Sequence, residues 1–216
     1  VGLLNVSGFI HAWKAQWYDG LISIIACVAT LAFAPDLDKG IMIGVVLSLL
    51  VFLYKSMRPK VASLSLAQDE ALRDSVTARL QECAHIDLVR FDGPLFFANA
   101  SYLEDKIAER MRNKKDLRHI VIACDGMNDM DASGEEVLSL LVDRIRSAGL
   151  DISLSGVNEA VMKVLRRTFL FEKIGPDHIF PTKEQAICQI HEHAHHESGE
   201  ERCPLTTVCR LTESTT

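Results

Sequence analysis

Two uncharged apolar runs dominate the first part of the chain. The first covers residues 20–35 and the second residues 40–54, so they contain 16 and 15 residues without a charged side chain. Folded as helices with a rise of about 1.5 Å per residue, they would be roughly 22–24 Å long, short of a hydrocarbon core of about 30 Å. Judged by length alone, the two runs could also be buried helices of a soluble protein or re-entrant membrane segments.

Residues flanking the two runs favour a membrane. Aromatic side chains of the kind found at membrane–water interfaces precede the first run and end the second. A basic cluster follows the second run, whereas the loop between the runs carries two Asp and one Lys. By the positive-inside rule, we expect this loop outside and the chain after Tyr54 in the cytoplasm. The aromatic residues are Trp13, Trp17, Tyr18 and Tyr54, and the basic ones are Lys55, Arg58 and Lys60.

Both runs also carry a small residue at every fourth position. Such stripes let helix backbones approach closely in lipid, where packing rather than the hydrophobic effect holds helices together. We therefore predict a two-helix transmembrane hairpin in residues 1–60, with spans at about 20–35 and 40–54, that packs on further membrane helices. The stripe is Ala26, Thr30 and Ala34 in the first run and Gly40, Gly44 and Ser48 in the second.

The remainder of the chain alternates short strands with helices, which predicts an α/β domain with a mixed sheet and flanking helices in residues 85–192. We interpret residues 61–84 as a juxtamembrane linker, mostly helical from 67 to 83, and residues 193–216 as a disordered tail. Asn158 and Thr182 are the natural N-caps of two of the helices. The predicted strands are 86–91, 95–97, 119–124, 151–155 and 178–180, and the predicted helices are 101–112, 133–148, 158–169 and 182 to about 191.

Charge divides the chain at the same place. Residues 1–60 hold five Lys/Arg against three Asp/Glu, and the later residues hold 18 against 26. The acidic second half argues against a nucleic-acid partner, which needs basic side chains to neutralise phosphates. Six scattered cysteines with apolar neighbours indicate a reducing compartment rather than a disulfide framework. The chain opens on Val1 rather than Met and lacks a basic signal region, which leaves open a fragment as well as a complete gene product.

The motifs of the predicted α/β domain resemble those of a STAS domain. A turn at residues 92–94, Asp-Gly-Pro, is followed by residues 96–99, Phe-Phe-Ala-Asn, and then by a helix and a strand. Residues 130–134, Met-Asp-Ala-Ser-Gly, then open the next helix. The STAS family includes anti-sigma-factor antagonists and the cytoplasmic tails of SulP anion transporters.

The apolar segment resembles the last transmembrane hairpin of SulP transporters, from Pro35 through Gly40 and Gly44 to Arg58-Pro59. This resemblance implies the C-terminal part of a multi-pass, secondary-active transporter of sulfate or bicarbonate in the inner or cell membrane. The STAS domain would then be its cytoplasmic regulatory and assembly module. The implied partners are the remaining membrane helices, a second copy in a homodimer, the lipid bilayer and a cytoplasmic regulatory protein. The anion site of such transporters lies in helices outside this segment, so no substrate-binding residue is assigned.

Ser133 matches the position that is phosphorylated in STAS antagonists. Read from the residues alone, Ser133 and Glu136 form a capping box at a helix start. Acidic neighbours would repel a phosphoserine, and no Lys or Arg occurs between Arg118 and Arg144. We therefore interpret Ser133 as a cap and Asp131 as an acceptor that orders the loop. A membrane-tethered signalling protein switched by phosphorylation at Ser133 stays open as the second hypothesis.

The tail contains the pattern H-E-x-x-H at residues 191–195, which is the helical zinc motif of metalloproteases. That chemistry needs the motif on a buried helix facing a cleft, whereas here it lies at the predicted end of the last helix. We therefore predict no enzyme, no cofactor and no metal centre. Adventitious metal ligands are the clustered histidines His191, His193, His195 and His196.

Overall fold

The computed structural model describes residue 10, residues 13–14, 16–196 and 203–213, and divides into two units at residues 1–57 and 58–216. Each unit is described by itself. The first contains two helices, α1 at Trp17–Ala32 and α2 at Leu37–Ser56. The second contains a six-stranded sheet covered by helices. The predicted fold class, an α/β domain preceded by a helical hairpin, is therefore confirmed.

Helices α1 and α2 pack as antiparallel neighbours, and the predicted small residues lie where their backbones meet. A Cβ atom on Gly40 would lie 2.4 Å from the Cα atom of Thr30, closer than two carbon atoms can approach. A Cβ atom on Gly44 would lie 3.0 Å from the Cβ atom of Ala26. Ser48 lines the same groove between the helices. Glycine at these positions therefore permits a separation that larger residues would forbid.

Among the described helices, α2 is the one long and apolar enough to cross a membrane, over Asp38–Ser56. The apolar part of α1 is shorter, because the helix ends at Ala32 rather than continuing to the predicted limit at residue 35. Large apolar side chains on both helices are exposed, among them Leu31 at 69% and Phe52 at 64%. An apolar surface of this extent needs a lipid or protein cover and disfavours the alternative of two buried helices of a soluble core.

The sheet of the second unit has the strand order β2-β1-β3-β4-β5-β6. Strand β1 pairs antiparallel with both β2 and β3, and the pairs from β3 to β6 are all parallel. The strands are β1 Lys60–Leu66, β2 Leu72–Asp74, β3 Ile86–Asp92, β4 His119–Gly126, β5 Asp151–Ser155 and β6 Ile179–Phe180. The predicted strands at 86–91, 119–124 and 151–155 are confirmed, whereas residues 95–97 form no strand, since only Leu95 pairs, in a single bridge to Met130.

Helices cover both faces of this sheet. Alternate residues of β4 point to opposite sides, so that Ile120 and Ile122 pack under α4 to α7 while Val121 and Ala123 pack under α8 and α9. All four are fully buried, which explains the continuous apolar run in the sequence. The helices are α3 Ser75–Ala78, α4 Ala100–Asn113, α5 Ala132–Ser147, α6 Glu159–Arg167, α7 Leu170–Ile174, α8 Lys183–His195 and α9 Thr206–Glu213.

The prediction of a helical linker at residues 61–84 is wrong, because most of this segment belongs to the domain. Strand β1 lies inside the sheet, with Val61 opposite Phe91 and Ser63 opposite Val89. The serines of β1 suggested a solvated linker, yet Ser63 and Ser65 are buried. Their hydroxyls donate to the Asp87 carboxylate and to the backbone carbonyl of Gln81, which removes the cost of burying them.

The prediction of a disordered tail at residues 193–216 is also wrong for its described part. Helix α8 continues to His195, and α9 follows at Thr206–Glu213. Leu205 and Val208 are buried against the face of the sheet that α8 also covers. The few apolar residues of this polar segment were too widely spaced to signal a helix, but together they complete a core layer.

A buried carboxylate joins strand, helix and loop in the second unit. Asp87 on β3 has a side chain that is 1% exposed, and it accepts hydrogen bonds from Arg110, Lys114 and Ser63 at 2.5–3.1 Å. Glu82 accepts from the same Arg110 and Lys114. Burial opposes ionisation of Asp87, but the hydrogen bond from Arg110 and the two neighbouring cations hold its pKa below the ordinary value. The domain therefore contains an ionised carboxylate that is fully paired.

Removing this charge should destabilise the domain strongly. We expect Asp87→Asn to lower the free energy of unfolding by about 3 kcal/mol, because it removes the buried charge that pairs with Arg110 and Lys114 and leaves the two cations to share Glu82. The matched control is Asp69→Asn, since Asp69 forms a solvent-exposed pair with Arg73 and its replacement should change stability far less than Asp87→Asn does. Urea unfolding of residues 58–216 measures both, and equal losses in the two variants would contradict the assignment.

The same comparison has a defined pH dependence. A carboxylate whose pKa is lowered in the folded state stabilises the protein above the unfolded-state pKa of about 4, and the stabilisation is lost as the pH falls through the folded-state value. The difference between wild type and Asp87→Asn should therefore be constant from pH 7 to 5 and shrink below about pH 4.

The revised boundaries give a second prediction. Residues 58–216 should fold as an independent unit, whereas residues 85–192 should not, because the shorter piece lacks β1, which pairs with β3, and the apolar residues Leu205 and Val208. Near-ultraviolet circular dichroism and urea unfolding of both pieces provide the measurement. A cooperative transition of equal midpoint for the shorter piece would show that β1 and the C-terminal segment are dispensable.

Candidate functional site

The loop that precedes α5 is held in place by a backbone crossing. Leu95 forms a parallel bridge with Met130, in which the Leu95 amide donates to the Asp129 carbonyl at 2.9 Å and the Asp131 amide donates to the Leu95 carbonyl at 3.0 Å. Leu95 itself is fully buried. The crossing therefore fixes the loop after β4 against the loop after β3, at the carboxyl edge of the parallel strands.

Asp131 is the residue that organises this loop. One carboxylate oxygen accepts from the Gly134 amide at 2.7 Å, which makes Asp131 the N-cap of α5. The other oxygen accepts from the Phe97 amide at 3.0 Å. The sequence interpretation of Asp131 as a loop-ordering acceptor agrees with these contacts. The assignment of the cap to Ser133 is wrong, because α5 begins at Ala132 and Ser133 already lies inside its first turn.

Gly134 explains why the motif ends on a glycine. A Cβ atom at this position would lie 2.4 Å from the Leu95 carbonyl oxygen, whose hydrogen bond to Asp131 fixes it in place. The first turn of α5 can therefore approach the crossing only if residue 134 lacks a side chain. Asp131 and Gly134 are thus structural requirements of the motif, and the residue between them that carries a reactive group is Ser133.

Ser133 is partly exposed, and its hydroxyl makes no hydrogen bond to the part of the chain that the structure describes. Nearby, Phe97 has 70% of its side chain exposed and is tied to the loop through Asp131. Glu135 and Glu136 follow Ser133 on α5. This arrangement places a partly exposed hydroxyl and an exposed aromatic ring in an acidic setting.

The histidines of the H-E-x-x-H pattern do not form a protease site. His191 and His195 stack on α8 with ring centres 4.1 Å apart, but His191 Nε2 contacts Thr206 Oγ1 at 3.1 Å while His195 Nε2 lies 3.4 Å from Cys83 Sγ. Glu192 and His193 are exposed, on other sides of the helix. His196, also exposed, accepts a hydrogen bond from Arg118 through its backbone carbonyl.

Sequence reasoning missed one cluster of metal-ligating type. The sulfur atoms of Cys83 and Cys203 and a ring nitrogen of His195 all lie within 4.8 Å of one another. The hydrogen bond with Cys203 and burial raise the pKa of the Cys83 thiol. Cys83 precedes β3 and the other two residues flank the C-terminal segment, so no spacing in the sequence could have brought them together.

A second histidine cluster resembles a catalytic relay without being one. His119 Nε2 lies 2.9 Å from Ser153 Oγ, which lies 3.2 Å from His178 Nδ1. Asp151 stands 3.5 Å beyond His178 Nε2. Ser153 is fully buried, so no substrate can reach its hydroxyl, and burial lowers the pKa of His119 to about 4. We interpret this chain of contacts as a satisfied polar element at the amino ends of β4 and β5.

The chain is similar to a known domain family and to several transporter proteins. A family model described as STAS domain matches residues 77–186. A probable sulfate transporter 4.2 of Arabidopsis thaliana is 24% identical over 198 residues, which cover 86% of this chain and 29% of the relative. High affinity sulfate transporter 2 of Stylosanthes hamata is 22% identical, covering 87% of this chain and 30% of the relative. The chain thus spans about 30% of the length of the curated relatives it matches.

Among solved structures, the murine solute carrier 26 family member A9 anion transporter in its inward-facing state matches with a TM-score of 0.73. The two are 20% identical, and the match covers 84% of this chain and 30% of the other. At this level of identity the likeness concerns the fold, and it reaches from the second unit into residues 1–57, because 84% exceeds the share of the chain that lies in residues 58–216.

Stability measurements can distinguish Asp131, which caps α5 and holds Phe97, from Ser133, whose hydroxyl makes no hydrogen bond within the described part of the chain. We expect Asp131→Ala to cost about 1–2 kcal/mol, since it removes the cap of α5 together with the acceptor for Phe97, and Asp131→Asn to cost less because Asn also caps well. Ser133→Ala should change stability by less than about 0.5 kcal/mol. Urea unfolding of residues 58–216 measures all three variants. If Ser133→Ala lost as much unfolding free energy as Asp131→Ala, Ser133 rather than Asp131 would be the N-cap of α5.

Proposed function

Because this chain belongs to the STAS domain family, we propose that it is the C-terminal part of a secondary-active transporter of inorganic anions, with the STAS domain as its cytoplasmic regulatory and assembly module. The observation that carries the proposal is the extent of the match to proteins described as sulfate transporters. It covers 86% of the chain, more than residues 58–216 contain, and so reaches into the helical pair. The part of this chain that matches the transporter relatives therefore includes residues of both units.

The helical pair supports a membrane position. Its large apolar side chains are exposed, and Lys55 lies with its ammonium nitrogen 4.2 Å from the centre of the Tyr18 ring. An interfacial aromatic and the first residue of the basic cluster thus occupy the same end of the hairpin. By the positive-inside rule this end faces the cytoplasm, which puts the STAS domain on that side.

Among the described residues of the hairpin, the groove between the two helices shows no feature of an anion site. The groove between its helices is lined by apolar and small residues such as Ile22, Ser23 and Gly44, and no cation lines it among the described residues. The anion, sulfate or bicarbonate, would bind in other membrane helices of the same transporter, which are therefore the first partners of the hairpin. A second copy of the transporter and a cytoplasmic regulatory protein are further proposed partners, for which the Ser133 loop offers an exposed surface.

Uptake by the complete gene product tests the proposal. Expressed in cells that lack sulfate uptake, it should accumulate labelled sulfate or bicarbonate, and Gly40→Leu should abolish uptake because its side chain would meet the Thr30 backbone at 2.4 Å. The matched control is Ile41→Leu, which changes an exposed neighbour and should retain uptake. Surface expression of both variants is measured in parallel. Absence of uptake for every anion tested would refute the transporter assignment.

A membrane-tethered signalling protein switched at Ser133 is the second candidate, and one observation favours it. The hydroxyl of Ser133 is partly exposed and makes no hydrogen bond within the described part of the chain, so it is available to a kinase. Under this alternative, Ser133→Asp and Ser133→Ala differ in partner binding while anion uptake is absent. Under the transporter proposal uptake is present in both variants, and a difference between them reports regulation.

A further inference from the structure

The cluster of Cys83, His195 and Cys203 lies on the face of the sheet that α8 and α9 cover. Cys83 lies three residues before the start of β3, His195 is the last residue of α8, and Cys203 lies just before α9. Cys83 is 2% exposed and Cys203 8%, and His195 is partly buried. Three soft or borderline ligands therefore converge, two of them near each other in the C-terminal part of the chain and the third 112 residues before His195.

The separations within the cluster fit a tetrahedral zinc ion. With Zn–S of about 2.3 Å and Zn–N of about 2.0–2.1 Å, tetrahedral angles place a sulfur and a nitrogen ligand about 3.6 Å apart and two sulfurs about 3.8 Å apart. Cys83 Sγ and His195 Nε2 are 3.4 Å apart, and all three ligand atoms lie within 4.8 Å of one another. The Cys83–His195 pair is thus within a few tenths of an ångström of this geometry, and the upper bound of 4.8 Å on the other separations leaves the third ligand within about 1 Å of it.

Contacts behind the ligands orient them in the way that metal sites require. His195 Nδ1 is 2.8 Å from the backbone carbonyl of His191, which can only accept, so Nδ1 carries the proton and the lone pair of Nε2 is directed at Cys83. Backbone amides donate to both sulfurs, from Ile86 to Cys83 at 3.3 Å and from Leu205 to Cys203 at 3.4 Å. Such bonds favour the thiolate, which is the form that binds a metal, and they act against the Cys203 contact and the burial that raise the pKa of Cys83.

We propose that Cys83, His195 and Cys203 bind one Zn²⁺ per chain, with a water molecule as the fourth ligand. Binding releases the two thiol protons to solvent, and the resulting pair of thiolates neutralises the ion. A neutral centre of this kind suits the buried, apolar position, where an unpaired charge would be costly. Thiolate and imidazole ligands select zinc over magnesium or calcium, which prefer oxygen.

The zinc would connect the C-terminal segment to the body of the domain. His195 ends α8 and Cys203 precedes α9, whereas Cys83 belongs to the segment entering the central strand β3. A bond network between them closes a long loop of the chain, which reduces the entropy of the unfolded state more than a short closure would. Zinc should therefore raise the unfolding temperature of the whole domain and protect α9 from proteolysis.

The full chain in detergent micelles is suitable for the test, with Zn²⁺ and Co²⁺ alone as probes. After treatment with chelator and reductant, we expect uptake of one equivalent of Zn²⁺ and, with Co²⁺, the sulfur-to-cobalt charge-transfer band and intense visible bands of a tetrahedral thiolate site. Cys83→Ser, Cys203→Ser and His195→Gln should each lose this uptake. The matched controls Cys188→Ser, His191→Gln and His193→Gln should retain it, which separates the cluster from adventitious binding by the histidine-rich helix.

Zinc-edge X-ray absorption on the unmodified chain keeps the proposal testable if a cysteine variant fails to fold. The expected first shell contains two sulfurs at about 2.3 Å and light atoms at about 2.0–2.1 Å. A shell of nitrogen and oxygen only, uptake that is unchanged in both cysteine variants, or no uptake at all would overturn the proposal. So would a Cys83–Cys203 disulfide in peptide maps of the protein isolated under alkylating conditions, since the thiolates would then be unavailable to a metal.

Discussion

Burial of the central strands on both faces is the constraint from which most of the domain follows. Strands β3 and β4 carry apolar side chains in both directions, and Ile120, Val121, Ile122 and Ala123 are all fully buried. A sheet of this kind needs two helical layers, one supplied by α4 to α7 and the other by α8 and α9. The second layer brings the polar C-terminal segment into the core. The packing of α8 and α9 onto the sheet also brings His195 and Cys203 next to Cys83.

The elements that the sequence predicted well are those whose signals are local. The strands at 86–91 and 119–124 and the caps Asn158 and Thr182 depend on residues a few positions apart, and the side chains of both caps accept the expected backbone hydrogen bonds. Likewise, the stripe of Gly40 and Gly44 marks the close approach of two helices. In these places intrinsic preference and tertiary environment agree, so that a short window contains the necessary information.

The predictions were wrong where a residue's structural role depends on a contact with a residue that is distant in the sequence. Ser63 suggested a solvated linker, but in the fold its hydroxyl is buried and donates to Asp87. Helix α5 begins one residue earlier than predicted, because the Asp131 carboxylate caps it and also accepts from the Phe97 amide. The sequence therefore identified Ser133 as the residue of the motif with a reactive side chain. It also assigned to Ser133 the capping role that the structure gives to Asp131. The convergence of Cys83 and Cys203 lies wholly outside the reach of local patterns, since only the packing of α8 and α9 creates it.

The order of the strands has a consequence for biosynthesis. From β1 onward the main body of the sheet, β1-β3-β4-β5-β6, follows the order of the sequence, so each strand can join the edge already formed as the chain leaves the ribosome. The helices of the first layer emerge between these strands and cover their face at once. The opposite face, by contrast, stays bare until α8 and α9 have been translated, long after β3 and β4 are paired. During that interval the nascent chain presents an apolar surface on which chaperones would be expected to act.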